Sequence, residues 1–144
     1  MVNSEKEPSK LLMVRRGSEP WRGLWTNPAG KVEDLETLED AARREILEET
    51  GLEARIVKHL CTFDEFVFDS LGRMQTHYVC VNYLAVAEPG TAKAGANIAD
   101  AKWMSLQEAR SEFDNDLIPP VTTRPFLCSG SARLRKLFSA KTTA

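Results

Sequence analysis

"ARREILEETG", residues 42–51, has the composition of the end of an amphipathic helix and is followed by a strand-like segment. Thr37 is a suitable N-cap, Asp40 follows it as in a weak capping box, and Gly51 suits a left-handed C-terminal position. The pattern therefore predicts a helix over Leu38–Thr50.

The charge of this helix end is unusual. Helical geometry places Ala42 and Ile46 on an apolar face, and Glu45, Glu48 and Glu49 within one arc about 100° wide. Acidic side chains near a helix C-terminus each cost up to about 1 kcal/mol, and one arginine cannot neutralise three of them.

A divalent cation would offset this repulsion. Glutamate oxygens with no histidine or cysteine nearby favour Mg²⁺, with Mn²⁺ as a substitute, and leave open positions for water and phosphate oxygens. This donor set indicates metal-assisted phosphoryl chemistry. The alternative is a solvated charged face paired with arginine.

Strand and helix patterns alternate through the rest of the chain. LLMVRR, from Leu11, predicts a buried strand, and a long irregular loop runs from 17 to 30. A strand is predicted within Ala54–Phe68, and Gln75–Ala87 predicts a strand in the middle of a sheet.

The C-terminal third predicts a short strand in AKWMSL and a helix whose N-terminus is a capping box of Ser105 and Glu108. IPPVTTRP is expected to end that helix, and ARLRKLF, residues 132–138, to form a last basic amphipathic helix. One α/β or α+β domain over residues 1–144 accounts for these elements.

Composition narrows the classes of function. The chain has 144 residues, with 19 basic against 21 acidic side chains and a net charge of −2, which argues against a stable nucleic-acid partner or a basic membrane patch. No apolar run approaches the roughly 18 residues of a membrane span. Three widely spaced cysteines suggest neither a disulfide framework nor a zinc site. We expect a cytoplasmic protein with a small-molecule partner.

The spacing from Gly30 to Leu52 matches a complete Nudix box, GX5EX7REUXEEXGU, in which U is a bulky apolar residue. The matching positions are Gly30, Glu36, Arg44, Glu45, Ile46, Glu48, Glu49, Gly51 and Leu52. The flanking sequence from Leu11 to Ala109 also resembles Nudix hydrolases, most of all the ADP-ribose pyrophosphatase-like subgroup.

This resemblance implies an α/β/α sandwich with a mixed central sheet. It implies that Glu36 supports the loop, that Arg44 orients the glutamates, and that Glu45 is the residue most often proposed as the base. Arg44, Glu45 and Glu48 form the implied catalytic set. It assigns the metal ions to the carbonyl of Gly30 and to the side chains of Glu45, Glu48 and Glu49.

The implied activity is Mg²⁺-dependent hydrolysis of the diphosphate in a nucleoside diphosphate linked to another moiety. ADP-ribose or a related nucleotide sugar is the favoured substrate. The alternatives are a pyrophosphohydrolase that removes unwanted nucleoside triphosphates and a catalytically silent nucleotide-binding module. Homodimerisation is plausible for the subgroup.

Two features depart from the family pattern. Leu35 stands where members commonly have glycine, and a Cβ there is expected to affect the turn that places Glu36. Only residues 1–3 precede the polar turn before Leu11, so the first strand is expected to be short or missing. A stunted strand, an earlier chain start and a partner that completes the sheet are all compatible with this.

Candidate substrate contacts outside the box rest on residue type alone. Arg15 and Arg16 offer guanidinium groups for phosphate, although only one of two adjacent strand residues can face the site. Trp21 is a candidate for stacking on a base, whereas a packing role is favoured for Trp25. Glu112 is a candidate late-loop base, against a solvated helix surface.

Overall fold

The computed structural model describes residues 2, 8–95, 97–128, 132 and 135–136. In that part of the chain the elements run in the order β1 (Lys10–Arg16), β2 (Trp25–Thr26), α1 (Leu38–Thr50), β3 (Ala54–Phe68), β4 (Met74–Ala87), β5 (Ile98–Ser105), α2 (Leu106–Asp114) and α3 (Pro120–Cys128).

Strand β1 lies between β2 and β5 and is antiparallel to both, while β3 and β4 form a long antiparallel hairpin. Val2 joins the two groups of strands, because it bridges Leu11 in antiparallel and Val86 in parallel fashion. Its N–H donates to the carbonyl of Ala85 at 3.1 Å. Val2 thus pairs between β1 and β4, and the predicted mixed pairing is confirmed.

Helix α1 has the predicted bounds. The Thr37 hydroxyl accepts from the Asp40 N–H at 3.2 Å, and Gly51 has a φ of 69°. Ile46 is buried as predicted, but Ala41 is buried beside it while Ala42 is only partly covered. The apolar face is therefore rotated slightly from the predicted one.

The C-terminus of α1 is hydrogen-bonded to a loop segment, residues 93–95, for which the sequence pattern predicted no role. The N–H groups of Lys93 and Gly95 donate to the carbonyls of Thr50 and Glu49 at 2.9 and 3.1 Å. A Cβ at Gly95 would overlap the backbone carbonyl of Glu48, so only glycine allows this approach. The helix carbonyls that would otherwise lack donors are satisfied by this segment.

The C-terminal region differs in part from the prediction. The capping box of Ser105 and Glu108 is confirmed, and α2 ends at Asp114. The segment IPPVTTRP was expected only to break a helix, but most of it forms α3, which begins at Pro120. Proline is tolerated in the first turn because its missing N–H has no helical partner there. The predicted basic helix at 132–138 lies largely outside the described residues.

The sheet has a core on each face. Leu12 packs on one face, against α1 through Ile46, while Leu11 and Met13 pack on the other face with α2 and α3. Trp25 is buried in the second core, which confirms its packing role. Two layers of helix around the sheet give the expected α/β/α sandwich. No helix in the described segments is long and apolar enough to cross a membrane.

Candidate active site

A cleft of about 640 Å³ opens beside the C-terminal half of α1. Its walls come from the loop before α1, from the β3–β4 hairpin and from α3. The residues of the predicted site that line it are Arg16, Trp21, Gly30, Arg44, Glu45, Glu48 and Glu49. Strand β1, helix α1 and the loop between them therefore bring together residues that are up to 33 positions apart.

Arg44 is the centre of the polar contacts at this cleft. Its guanidinium donates to Glu36 at 2.8 and 3.1 Å, to Glu45 at 3.0 Å and to Glu48 at 3.3 Å. It also donates to the carbonyl of Lys31 at 2.9 Å. The hydrogen bonds to Glu36 raise the pKa of Arg44 above its ordinary value, so this cation stays charged.

Glu36 lies at the turn that leads into α1. Its carboxylate also accepts the N–H of Glu33 at 2.7 Å, and the hydrogen bonds from Arg44 lower the pKa of Glu36. Leu35, directly before it, has a φ of 66° and a fully exposed side chain. The leucine therefore adopts the backbone conformation that glycine favours, and Glu36 still reaches Arg44.

Glu49 has a different environment from the other two glutamates. It is only 9% exposed, and its carboxylate accepts the N–H of Ala29 at 3.0 Å. Burial raises the pKa of Glu49 to about 7, although the Ala29 N–H opposes the shift, and Glu45 and Glu48 add to it by charge repulsion. The positive charge of Arg16, which also lines the cleft, lowers the pKa of Glu49.

Gly30 lies directly against Glu45. A Cβ at residue 30 would overlap the carboxylate carbon and both carboxylate oxygens of Glu45. The absence of a side chain at Gly30 thus lets this carboxylate rest on the backbone of the loop. The loop touches two of the three glutamates, because Ala29 holds Glu49 and Gly30 makes room for Glu45.

The donor set suits a hard divalent cation. Within the described part of the chain, no three His, Cys, Asp or Glu side chains are gathered closely enough to hold an ion, so the predicted convergence on one point is not found. Glu45 and Glu48 contact Arg44 instead, while Glu49 faces Ala29. The oxygens of these glutamates and the nearby Gly30 carbonyl nonetheless match the ligand preference of Mg²⁺ and Mn²⁺. The pKa of Glu49 is raised because its ionised form is unfavourable in this environment, and a bound cation would stabilise that form.

The candidate substrate residues divide into two groups. Arg16 and Trp21 line the cleft, and the Nε of Arg16 donates to the carbonyl of Pro20 at 2.6 Å. Arg15 points to the other side of β1, where its guanidinium lies 5.7 Å from the centre of the Trp25 ring. Neither Arg15 nor Glu112, on α2, is among the cleft-lining residues.

The cleft lining also includes an apolar wall that was not predicted. Its members are Leu60 and Phe63 of β3, Tyr78 of β4, and Val121 and Phe126 of α3. They come from three different elements, and each strand or helix pattern alone indicates ordinary packing. The cleft is thus lined by both carboxylates and apolar side chains.

This arrangement has the features of a metal-assisted site for a phosphorylated ligand. The chain matches the NUDIX domain over residues 1–123, and it belongs to the Nudix family. Members of this family generally use divalent metal ions.

The relatives agree with this assignment. ADP-ribose pyrophosphatase of Methanocaldococcus jannaschii is 30% identical over 114 residues, which cover 78% of this chain and 65% of that protein. A NUDIX hydrolase from Nitrosomonas europaea has a TM-score of 0.64 at 26% identity, covering 83% of this chain and 62% of that one.

A third similar protein is the NUDIX domain of Shewanella oneidensis NrtR, solved in complex with ADP ribose. Its TM-score is 0.59 at 28% identity, and the match covers 71% of this chain and 66% of that one. The present chain spans less than two thirds of the length of the curated relatives that it first matches.

Proposed function

We propose that the protein hydrolyses the diphosphate of a nucleoside diphosphate linked to another moiety, in a Mg²⁺-dependent reaction, with ADP-ribose as the favoured substrate. The observation that carries this proposal is that Glu45, Glu48 and Glu49 line the same cleft as an apolar wall. A ligand with a charged diphosphate and a flat base matches both kinds of lining. The similarity to an ADP-ribose pyrophosphatase supports the choice of substrate.

The glutamates and the Gly30 carbonyl would hold the metal, which supplies charge neutralisation for the diphosphate and acidifies a bound water. Arg44 keeps Glu45 and Glu48 oriented through its contacts at 3.0 and 3.3 Å. A Glu45 carboxylate oxygen accepts a proton from the attacking water. The water oxygen adds to one phosphorus, the P–O–P link breaks, and two phosphate monoesters leave.

The remaining cleft residues bind and orient the substrate. Arg16 lines the cleft and interacts electrostatically with Glu49, so its positive charge can pair with phosphate oxygens. Trp21, Phe63 and Tyr78 offer aromatic surfaces for a base, and stacking of this kind contributes about 1 to 3 kcal/mol. Arg15 and Glu112 remain untested candidates, but their positions outside the cleft lining do not support direct contact.

The experiment is hydrolysis of ADP-ribose with Mg²⁺ or Mn²⁺ in ¹⁸O-labelled water, followed by mass spectrometry. We expect AMP and ribose 5-phosphate, one of which carries a single ¹⁸O. Glu48→Gln should lower turnover about 100-fold or more, because it removes a charge that the reaction requires. Glu39→Gln is the matched control on the same helix, since Glu39 is exposed and pairs with Arg43 at 3.2 Å.

The same panel separates the alternatives. Turnover of nucleoside triphosphates to monophosphate and pyrophosphate, with ADP-ribose left intact, would support the triphosphatase. Tight ADP-ribose binding without turnover under either metal would support a silent module, and this alternative is kept because a similar NUDIX domain is solved with ADP ribose. Full activity of Glu48→Gln would refute the assigned site.

Homodimerisation, cytoplasmic localisation and the absence of a nucleic-acid or membrane partner stay predictions. They rest on the resemblance, on the cysteine pattern and on the near-neutral charge.

A further inference from the structure

The side chain of Asn27 links the loop that precedes α1 to α3. Its Nδ2 donates to the backbone carbonyl of Thr122 at 2.9 Å, across 95 positions of sequence. Two residues later the Ala29 N–H donates to Glu49. The next residue is Gly30, against which Glu45 rests. Asn27 therefore begins the short segment, residues 27–30, that contacts two of the three glutamates.

The other end of the Asn27 amide is unsatisfied. Oδ1 is buried and has no hydrogen-bond partner among the described residues. A buried acceptor without a donor costs about 1 to 3 kcal/mol, so an apolar side chain at position 27 would suit the fold better. An asparagine kept here at a cost to stability indicates that its Nδ2 contact has another use.

The hydrogen bond between Asn27 and Thr122 is not needed to hold β2 in place. The Trp25 N–H donates to the carbonyl of Leu117 at 2.8 Å, and Trp25 and Thr26 are buried. Strand β2 is thus anchored to the segment before α3 independently of Asn27. The contact between Asn27 and Thr122 instead fixes the first residue of the 27–30 loop, beyond the end of the strand.

We propose that Asn27 is a positioning residue for the metal site: its hydrogen bond to the Thr122 carbonyl holds loop 27–30 so that Glu45 and Glu49 are oriented toward a divalent cation. The inference rests on the proposed metal-dependent function. It adds that the affinity for the cation depends on a contact between the loop and α3. Contacts of this kind, outside the ligands themselves, commonly change metal affinity.

The test replaces Asn27 with leucine, which has a similar volume and no donor. Mn²⁺ binding is measured by the loss of the free-ion signal in electron paramagnetic resonance, and the free energy of unfolding by urea titration in EDTA. We expect Asn27→Leu to bind Mn²⁺ about tenfold more weakly, with an unfolding free energy equal to or above that of the wild type. The Mg²⁺ concentration for half-maximal turnover should rise, while KM for substrate at saturating Mg²⁺ should not.

Asn82→Leu is the matched control for Mn²⁺ affinity. Asn82 lines the same cleft, but within the described part of the chain its Nδ2 donates to the Cys80 carbonyl of its own strand, at 3.4 Å, and not to α3. This variant should bind Mn²⁺ as the wild type does. Asn27→Ser, which is too short to reach Thr122, carries the same expectation for Mn²⁺ affinity if the leucine variant does not fold, measured at a temperature and denaturant concentration at which the serine variant is fully folded.

The Mn²⁺ affinities of these variants support or overturn the positioning role of Asn27. An unchanged Mn²⁺ affinity in Asn27→Leu or Asn27→Ser would overturn the positioning role, and so would an equal loss in Asn82→Leu. A lower affinity matched by a lower unfolding free energy would show a merely structural role. A wild type that neither binds Mn²⁺ nor hydrolyses any diphosphate would refute the proposed function itself, which is a separate result.

Discussion

Replacing Glu49 with glutamine is expected to remove a pH-dependent loss of stability from the metal-free protein. Glu49 is 9% exposed and lies near Glu45 and Glu48, so burial and repulsion both disfavour its ionised form. Glutamine keeps a side-chain oxygen that can accept the Ala29 N–H, which donates to Glu49 at 3.0 Å. The substitution thus removes the charge while leaving the hydrogen bond possible.

The sign and size of the effect follow from the pKa. Burial raises the pKa of Glu49 from 4.5 to about 7, so between these values the folded protein keeps a proton that the unfolded chain has lost. This contribution to stability is complete below pH 4.5 and is lost as the pH rises through 7. At about 1.4 kcal/mol per pKa unit, the loss amounts to about 3 kcal/mol.

Urea unfolding in EDTA at pH 5 and pH 8 measures this loss. From pH 5 to pH 8 the unfolding free energy of the wild type should fall by about 2.5 kcal/mol more than that of Glu49→Gln, because at pH 5 the unfolded chain has already lost most of this proton. Carboxylates with a lowered pKa, such as Asp69 and Glu108, act in the opposite sense but equally in both proteins. Glu39→Gln should behave as the wild type. Parallel pH profiles for the wild type and Glu49→Gln would refute the reasoning, because Glu49 would then titrate as an exposed carboxylate.

Two further substitutions test the loop and the turn. Gly30→Ala should lower ADP-ribose turnover at least about 100-fold in a product assay, because the new Cβ displaces the Glu45 carboxylate; normal turnover would show that this carboxylate can move without loss. Leu35→Gly should raise the unfolding free energy by up to about 1 kcal/mol in urea titration, since a φ of 66° suits glycine and the exposed side chain buries no surface; a lower value would show that the leucine stabilises the turn.

The elements that the sequence predicted well are those specified by neighbouring residues. Thr37, Asp40 and Gly51 fix both ends of α1 through local hydrogen bonds and one backbone conformation, so its bounds could be predicted from spacing. Ser105 and Glu108 do the same for the start of α2. Arg44, Glu45, Glu48 and Glu49 line one cleft because α1 itself carries them.

The elements that the sequence predicted poorly depend on distant contacts. The segment from Pro120 has two prolines and was expected only to interrupt a helix, yet Phe126 is buried in the core and helix α3 forms around it. The apolar wall of the cleft combines β3, β4 and α3, which no local pattern links. The role of Asn27 likewise depends on Thr122, 95 positions later.

Two sets of contacts stabilise the C-terminal end of α1. One satisfies the helix carbonyls and the other neutralises part of the glutamate charge, so the remaining unfavourable charge can be assigned to one residue. The helix carbonyls are satisfied by the N–H groups of Lys93 and Gly95. Arg44 neutralises part of the charge on Glu45 and Glu48, while among the described residues Glu49 accepts the Ala29 N–H and feels the positive charge of Arg16 without a direct ion pair. The uncompensated charge therefore lies at the glutamate that faces the loop. Magnesium should accordingly raise the stability of the wild type most strongly above pH 7, where Glu49 is ionised.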